Sequence, residues 1–116
     1  MKPTAEELNT RLYEKMFAEQ KRYREWLLLQ PSEEILNHAY EYTVREDILL
    51  SLEYHELPPE QVRAMLKSPI PLANVFKEFE KRETGYMDTI WEAFEYRAKT
   101  ALENSMKSKN QDVPER

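Results

Sequence analysis

A chain of 116 residues, 41% hydrophobic and 34% charged, has room for one core and can fold without covalent staples. It contains no cysteine, which excludes a disulfide framework, a thiolate metal site and a cysteine nucleophile. A net charge of −5 disfavours general affinity for phosphate backbones, and a single glycine, Gly85, leaves no P-loop and no dinucleotide fingerprint. No apolar run approaches the roughly 20 residues of a membrane span. The opening segment "MKPTAEELNT" lacks the apolar stretch of a secretory signal. A soluble, cytoplasmic protein is therefore expected, with no membrane association.

The first helix is predicted from Thr4 to Gln30. Thr4 and Glu7 have the spacing of a capping box, and no Gly or Pro interrupts the run from there to Gln30. Leu8, Leu12, Met16, Tyr23, Trp26 and Leu27 share one stripe at helical spacing. Tyr13, Phe17 and Leu28 widen it and are expected to form an exposed or half-exposed ridge. The competing reading places the helix in the middle of the fold, covered on both sides. Glu19 falls inside the stripe; it is expected to snorkel to solvent or to pair with Lys15 or Arg22, against the sharper reading of a functional carboxylate.

Pro31 ends this helix. Ser32 is expected to cap the second, with Glu33 and Glu34 at its positive end and Ile35, Leu36, Ala39 and Tyr40 on its buried face. The stretch "HAYEYTVREDILL" gathers a histidine, two tyrosines, a threonine, an arginine and carboxylates. Thr43 and Glu46 again have capping-box spacing, so it is read as a junction where a third helix starts, carrying Val44, Ile48, Leu49 and Leu52. Arg45 would lay its stem over the core edge. His38 and His55 lack the spacing of a metal pair and are expected to be unligated.

Pro59 suits the first position of a short fourth helix bearing Val62, Met65 and Leu66. "KSPIPLAN" reads as a proline-set turn. The fifth helix shows the stripe Leu72, Val75, Phe76 and Phe79. Thr84 and Gly85 separate it from a last amphipathic helix with Tyr86, Met87, Ile90, Trp91, Phe94, Ala98, Ala101 and Leu102 on one face. The polar tail "KSKNQDVPER" has no period and is expected to be disordered. The predicted architecture is an all-α, single-domain, mixed or orthogonal bundle of about six helices, the N- and C-terminal ones long. Residues 1–106 form the helical domain and residues 107–116 the tail.

The segments "HAYEYTVREDILLSLEYHEL", "LKSPIPLANVFKEFEKRE" and "MDTIWEAFEYRA" carry a resemblance. They look like a family of small domains of unknown function found in clostridial and related Firmicute genomes, often among genes of conjugative elements and phages. It covers roughly Leu12 to Ala98. It implies an accessory protein of mobile DNA in a bacterial cytoplasm, and brings no catalytic residue, cofactor or partner with it.

Two Trp, seven Tyr and four Phe are many for so small a helical domain. Tyr13, Phe17, Tyr42, Tyr54 and Tyr96 fall off the main stripes, and aromatics beside arginines have the composition of binding hot spots. With Glu19, Arg24, Leu28 and Arg45 they make up the candidate partner-binding set. The bland alternative is that these tyrosines cover the core edge with their hydroxyls in water. The expected function is a non-enzymatic protein-binding module with no cofactor and no metal; its partner is another protein or a second copy of the chain. A host defence complex is one target, because known inhibitors of CRISPR effectors are similar in size, acidity and helical composition. The second reading is a DNA-binding regulator or an accessory protein of conjugative transfer. Against it, Lys77, Lys81 and Arg82 are offset by Glu78, Glu80 and Glu83, and Lys15, Lys21, Arg22 and Arg24 by Glu14, Glu19 and Glu25. An enzyme would need a nucleophile or base in a cleft with an orienting partner, and the sequence offers none.

Overall fold

The structure, a computed structural model, describes residues 2–82 and 85–110. It contains five helices: α1 (Ala5–Leu28), α2 (Ser32–Glu53), α3 (Pro59–Leu66), α4 (Pro71–Arg82) and α5 (Tyr86–Asn110). There is no strand among the described residues. The chain divides into two compact units, Met1–Glu80 and Lys81–Arg116.

Helix α1 starts as its sequence dictates. The Glu7 N–H donates to Thr4 Oγ1 at 3.1 Å and the Thr4 N–H donates to Glu7 Oε1 at 3.0 Å. Those hydrogen bonds hold the Glu7 carboxyl below the usual carboxylate range. Helix α3 also starts as expected, with Pro59 in its first turn, where a missing N–H costs nothing.

Helix α2 departs from expectation at both predicted caps. Pro31, not Ser32, precedes its first turn, and no side chain caps it. At Thr43 there is no junction: the helix runs unbroken through Tyr42 and Thr43 to Glu53. A threonine caps only where its own backbone leaves the helical region, and no Gly or Pro nearby forces that exit. Instead Glu41 and Arg45, one turn apart, close an ion pair at 2.7 Å across the predicted break. The second and third predicted helices are therefore one, the total is five, and α2 is a third long helix.

In the first unit, α1 packs against α2 and α3. The core joins Leu8, Leu12 and Met16 of α1 to Leu49 of α2, Val62 of α3 and Leu72 of α4. Each such side chain contributes roughly 1.5–3 kcal/mol of burial. Tyr13, Ile48, Leu52, Leu57, Met65, Leu66 and Val75 pack around them, half-buried. Several predicted core positions lie outside this cluster: Trp26, Leu36, Tyr40 and Phe79 are exposed. Trp26 and Leu36 lie near the α1–α2 turn, where α1 has passed beyond the residues that cover Leu8 to Met16.

In the second unit α5 carries the predicted amphipathic face, with Trp91 and Phe94 5.6 Å apart between ring centroids. A lone helix cannot bury its own stripe, and Met87, Ile90, Trp91, Phe94, Leu102 and Met106 are all exposed. Helix α5 continues to Asn110, past the predicted boundary at residue 106. The rest of the predicted tail, residues 111–116, and Thr84 of the predicted break lie outside the described residues.

Candidate functional site

The polar side chains of α1 hold the backbone of α2 and of the segments beyond it. Asn9 donates from Nδ2 to the Leu57 carbonyl at 2.9 Å and accepts the Leu57 N–H at Oδ1 at 3.0 Å. This satisfies both backbone groups of the residue before Pro58. Two turns on, Lys15 Nζ donates to the carbonyl of Leu66, the last residue of α3, at 2.8 Å. One turn further, the Glu19 carboxylate meets the start of α4: Leu72 N–H donates to Oε1 at 2.7 Å and Ala73 N–H to Oε2 at 2.9 Å. Cation at a helix C-terminus and anion at a helix N-terminus both complement the macrodipole. Finally Gln20 Nε2 donates to the Tyr42 carbonyl at 3.2 Å.

Glu19 completes the accounting at α4. Of the first four backbone positions, Pro71 has no N–H, Leu72 and Ala73 give theirs to Glu19, and Asn74 donates to the Ile70 carbonyl at 3.0 Å. No donor is left over. The carboxylate is buried, 6% exposed, and is not extended to solvent or paired with Lys15 or Arg22 as expected. Its ionic partner is Arg45, at 3.8 Å. Arg45 is also buried, not draped over a core edge. Its Nε and Nη2 both donate to Glu41 Oε2, at 2.9 and 2.7 Å, and its guanidinium lies 4.1 Å over the Tyr23 ring. Burial first, and the Glu41 charge second, push the Tyr23 hydroxyl above its ordinary pKa. Glu19 and Arg45, both in the candidate partner-binding set, thus lie inside the fold and brace it. The sequence did hold a signal for Glu19: a carboxylate at a stripe position is costly to bury unless something specific receives it. Its receivers, 53 and 54 residues away, were not legible.

The rest of the set divides by location. Tyr13 and Phe17 stack with centroids 6.1 Å apart, and Tyr13 donates its hydroxyl to Glu53 at 3.0 Å. That hydrogen bond raises the Tyr13 pKa. Phe17, Arg24 and Tyr42 line a shallow cleft of ≈ 310 Å³ with Gln20, Lys21 and Glu46. Arg24 and Tyr42 also line the neighbouring cleft of ≈ 320 Å³, with Leu28, Ile35 and Ala39. The Tyr42 hydroxyl is pushed up by burial and by its hydrogen bond to Glu46, while Arg24 pulls the other way. Tyr13, Phe17, Arg24, Leu28 and Tyr42 therefore share one surface of α1 and α2. Phe17 and Leu28 are exposed, and Tyr13 and Tyr42 half-buried. Tyr54 is exposed just beyond the end of α2, and Tyr96 lies on α5 in the other unit.

The histidines hold structural positions. His38 is set edge-on to Tyr23 and Trp26, with centroids 6.5 and 5.5 Å away, and faces Glu34 at 3.5 Å. His55 Nδ1 donates to the Ser51 carbonyl at 2.8 Å. Among the described residues no group of three His, Cys, Asp or Glu side chains is placed to hold a metal ion. No helix among them is long and apolar enough to cross a membrane.

A family model described as "Protein of unknown function (DUF3848)" matches residues 8–102. No curated protein and no solved structure matches the chain.

Proposed function

The chain belongs to the DUF3848 family of proteins of unknown function, and from that premise we propose that its first unit is a non-enzymatic protein-binding module. The observation that carries this is the surface shared by Phe17, Arg24, Leu28 and Tyr42. Exposed apolar and aromatic side chains there flank an arginine and two shallow clefts. An aromatic anchor beside an arginine is the pattern of a binding hot spot. Both clefts sit at the small end of the range for small-molecule sites, which favours a protein surface as occupant. The resemblance to domains found among genes of conjugative elements and phages supports a setting on mobile DNA. A complex of host defence, such as a CRISPR effector, is then the proposed target.

What weighs against a DNA-binding regulator is Glu19. In a helix-turn-helix reading α4 would enter the groove, and its N-terminus would be the natural seat for a phosphate. The Glu19 carboxylate already takes the Leu72 and Ala73 N–H groups there.

The test is affinity capture from the bacterial host, comparing the wild type with Phe17→Ser/Arg24→Glu. The reading expects a defence-complex subunit that co-purifies with the wild type and is lost with a variant that melts normally. Identical captures from both proteins would refute it. So would a salt-sensitive shift of duplex DNA at micromolar protein, in favour of the regulator.

A further inference from the structure

We propose that α5 is a self-association helix, which pairs antiparallel with α5 of a second copy of this chain. This goes beyond the α1–α2 reading and rests on different residues. The first observation is the order of side-chain sizes along one stripe. Met87, Trp91, Phe94, Ala98, Ala101 and Ser105 succeed one another at spacings of four, three, four, three and four residues, which is the seam of a two-helix pairing. The first three are large and the last three small. Turn one copy end for end about Tyr96 and every large side chain meets a small one: Met87 opposite Ser105, Trp91 opposite Ala101, Phe94 opposite Ala98. A parallel pairing sets Trp91 against Trp91 and Ala101 against Ala101, overfilling one half of the seam and leaving voids in the other.

The second observation is charge. The half of α5 before Tyr96 carries Asp88, Glu92 and Glu95 and no basic residue. From Arg97 to Lys107 it carries Arg97, Lys99 and Lys107 against Glu103 alone. Antiparallel pairing lays the acidic half of each copy on the basic half of the other, and parallel pairing opposes like charges. The third is area. Met87, Trp91, Phe94 and Leu102 are 60–69% exposed. With large aromatics carrying roughly 150–250 Å² each, two such faces offer on the order of 1,000 Å², the size at which a specific interface begins.

The test is solution mass by light scattering, joined to disulfide trapping. The chain has no native cysteine, so introduced ones report without background. The wild type is expected at twice its 14.0 kDa mass. Trp91→Ser/Phe94→Ser is expected to be monomeric with an unchanged melt of the first unit. Met87→Cys chains mixed with Ser105→Cys chains are expected to link to each other, while Met87→Cys chains alone do not. A wild type that stays monomeric at its highest soluble concentration assigns the face to another occupant and overturns the proposal. A dimer that survives Trp91→Ser/Phe94→Ser overturns it too, as does self-linking of Met87→Cys. None of these outcomes bears on Phe17 or Arg24, so this proposal and the α1–α2 reading can fail separately.

Discussion

Glu19→Ala is the substitution that most directly probes how the first unit is held. The carboxylate is 6% exposed and takes two backbone N–H groups at 2.7 and 2.9 Å. Removing it strips α4 of its only side-chain acceptor for those donors and takes one of two anionic neighbours from buried Arg45. Breaking a buried pair by deleting one partner costs about 3–5 kcal/mol. Arg45 keeps Glu41, which places the expectation near the low end, at about 3 kcal/mol. For a unit of this size that is a fall in Tm of about 12–24 °C. Glu19→Gln keeps one acceptor oxygen and should lose roughly half as much. The assay is urea unfolding followed by far-ultraviolet circular dichroism, with exposed Glu14→Ala as the control. Repeating Glu19→Ala in an Arg45→Met background separates the two roles. If capping dominates, most of the loss persists there; if the ion pair dominates, most of it disappears. A Glu19→Ala midpoint indistinguishable from that of Glu14→Ala would refute the cap and the pair together.

Thr43→Ala should be within about 0.5 kcal/mol of wild type, because Thr43 is an exposed residue inside a continuous helix where alanine is the better former; a loss of a full cap's worth in thermal melts would restore the junction. Leu12→Ala, at a fully buried position, should cost about 2–5 kcal/mol by urea unfolding, and a near-neutral result would displace the core from α1. Asn9→Ala leaves both backbone groups of Leu57 without their partner, so a loss of about 1–3 kcal/mol is expected, with faster amide exchange at Leu57. The hydroxyls of Tyr13, Tyr23 and Tyr42 are all raised: Tyr13 by its bond to Glu53, the other two by burial. A raised folded-state value favours the neutral phenol, so this stability is complete below about pH 10 and is lost as pH climbs through the higher folded values. Phenolate absorbance should rise later in the folded than in the urea-unfolded protein, and coincident curves would contradict the shifts.

The contrast between Thr4 and Thr43 shows which signals the chain carried openly. Both sit three residues before a glutamate. Only Thr4 comes after a proline that keeps the chain extended, and only there did the capping box form. At Thr43 no Gly or Pro interrupted the run, and the Glu41–Arg45 pair stitched the turn shut. Pro59 was legible because proline acts through its own geometry. Glu19 was legible as an anomaly and illegible as a cap, since its donors belong to a helix more than fifty residues away in sequence. Among the candidate binding residues, spacing along α1 put Tyr13, Phe17 and Leu28 on one ridge. It could not show that an unbroken α2 would bring Tyr42 beside Arg24, or draw Arg45 inward onto Tyr23.

The anchors on α1 also set a timetable for folding. Asn9, Lys15 and Glu19 reach partners 48, 51 and 53 residues later, and those partners, Leu57, Leu66 and Leu72, come in the same order. On a ribosome α1 emerges before its partners, and the Glu19 carboxylate lacks its two donors until Leu72 and Ala73 are made. Closing the first of these loops costs on the order of 3–4 kcal/mol of chain entropy. Once Asn9 has met Leu57, however, the other two anchors lie only a few turns of helix from their partners, and their closures are short. The three clasps therefore shut as one event. A released chain that ends before residue 73 should remain unlatched and open to proteases, whereas one that reaches the end of α4 at Arg82 should resist them.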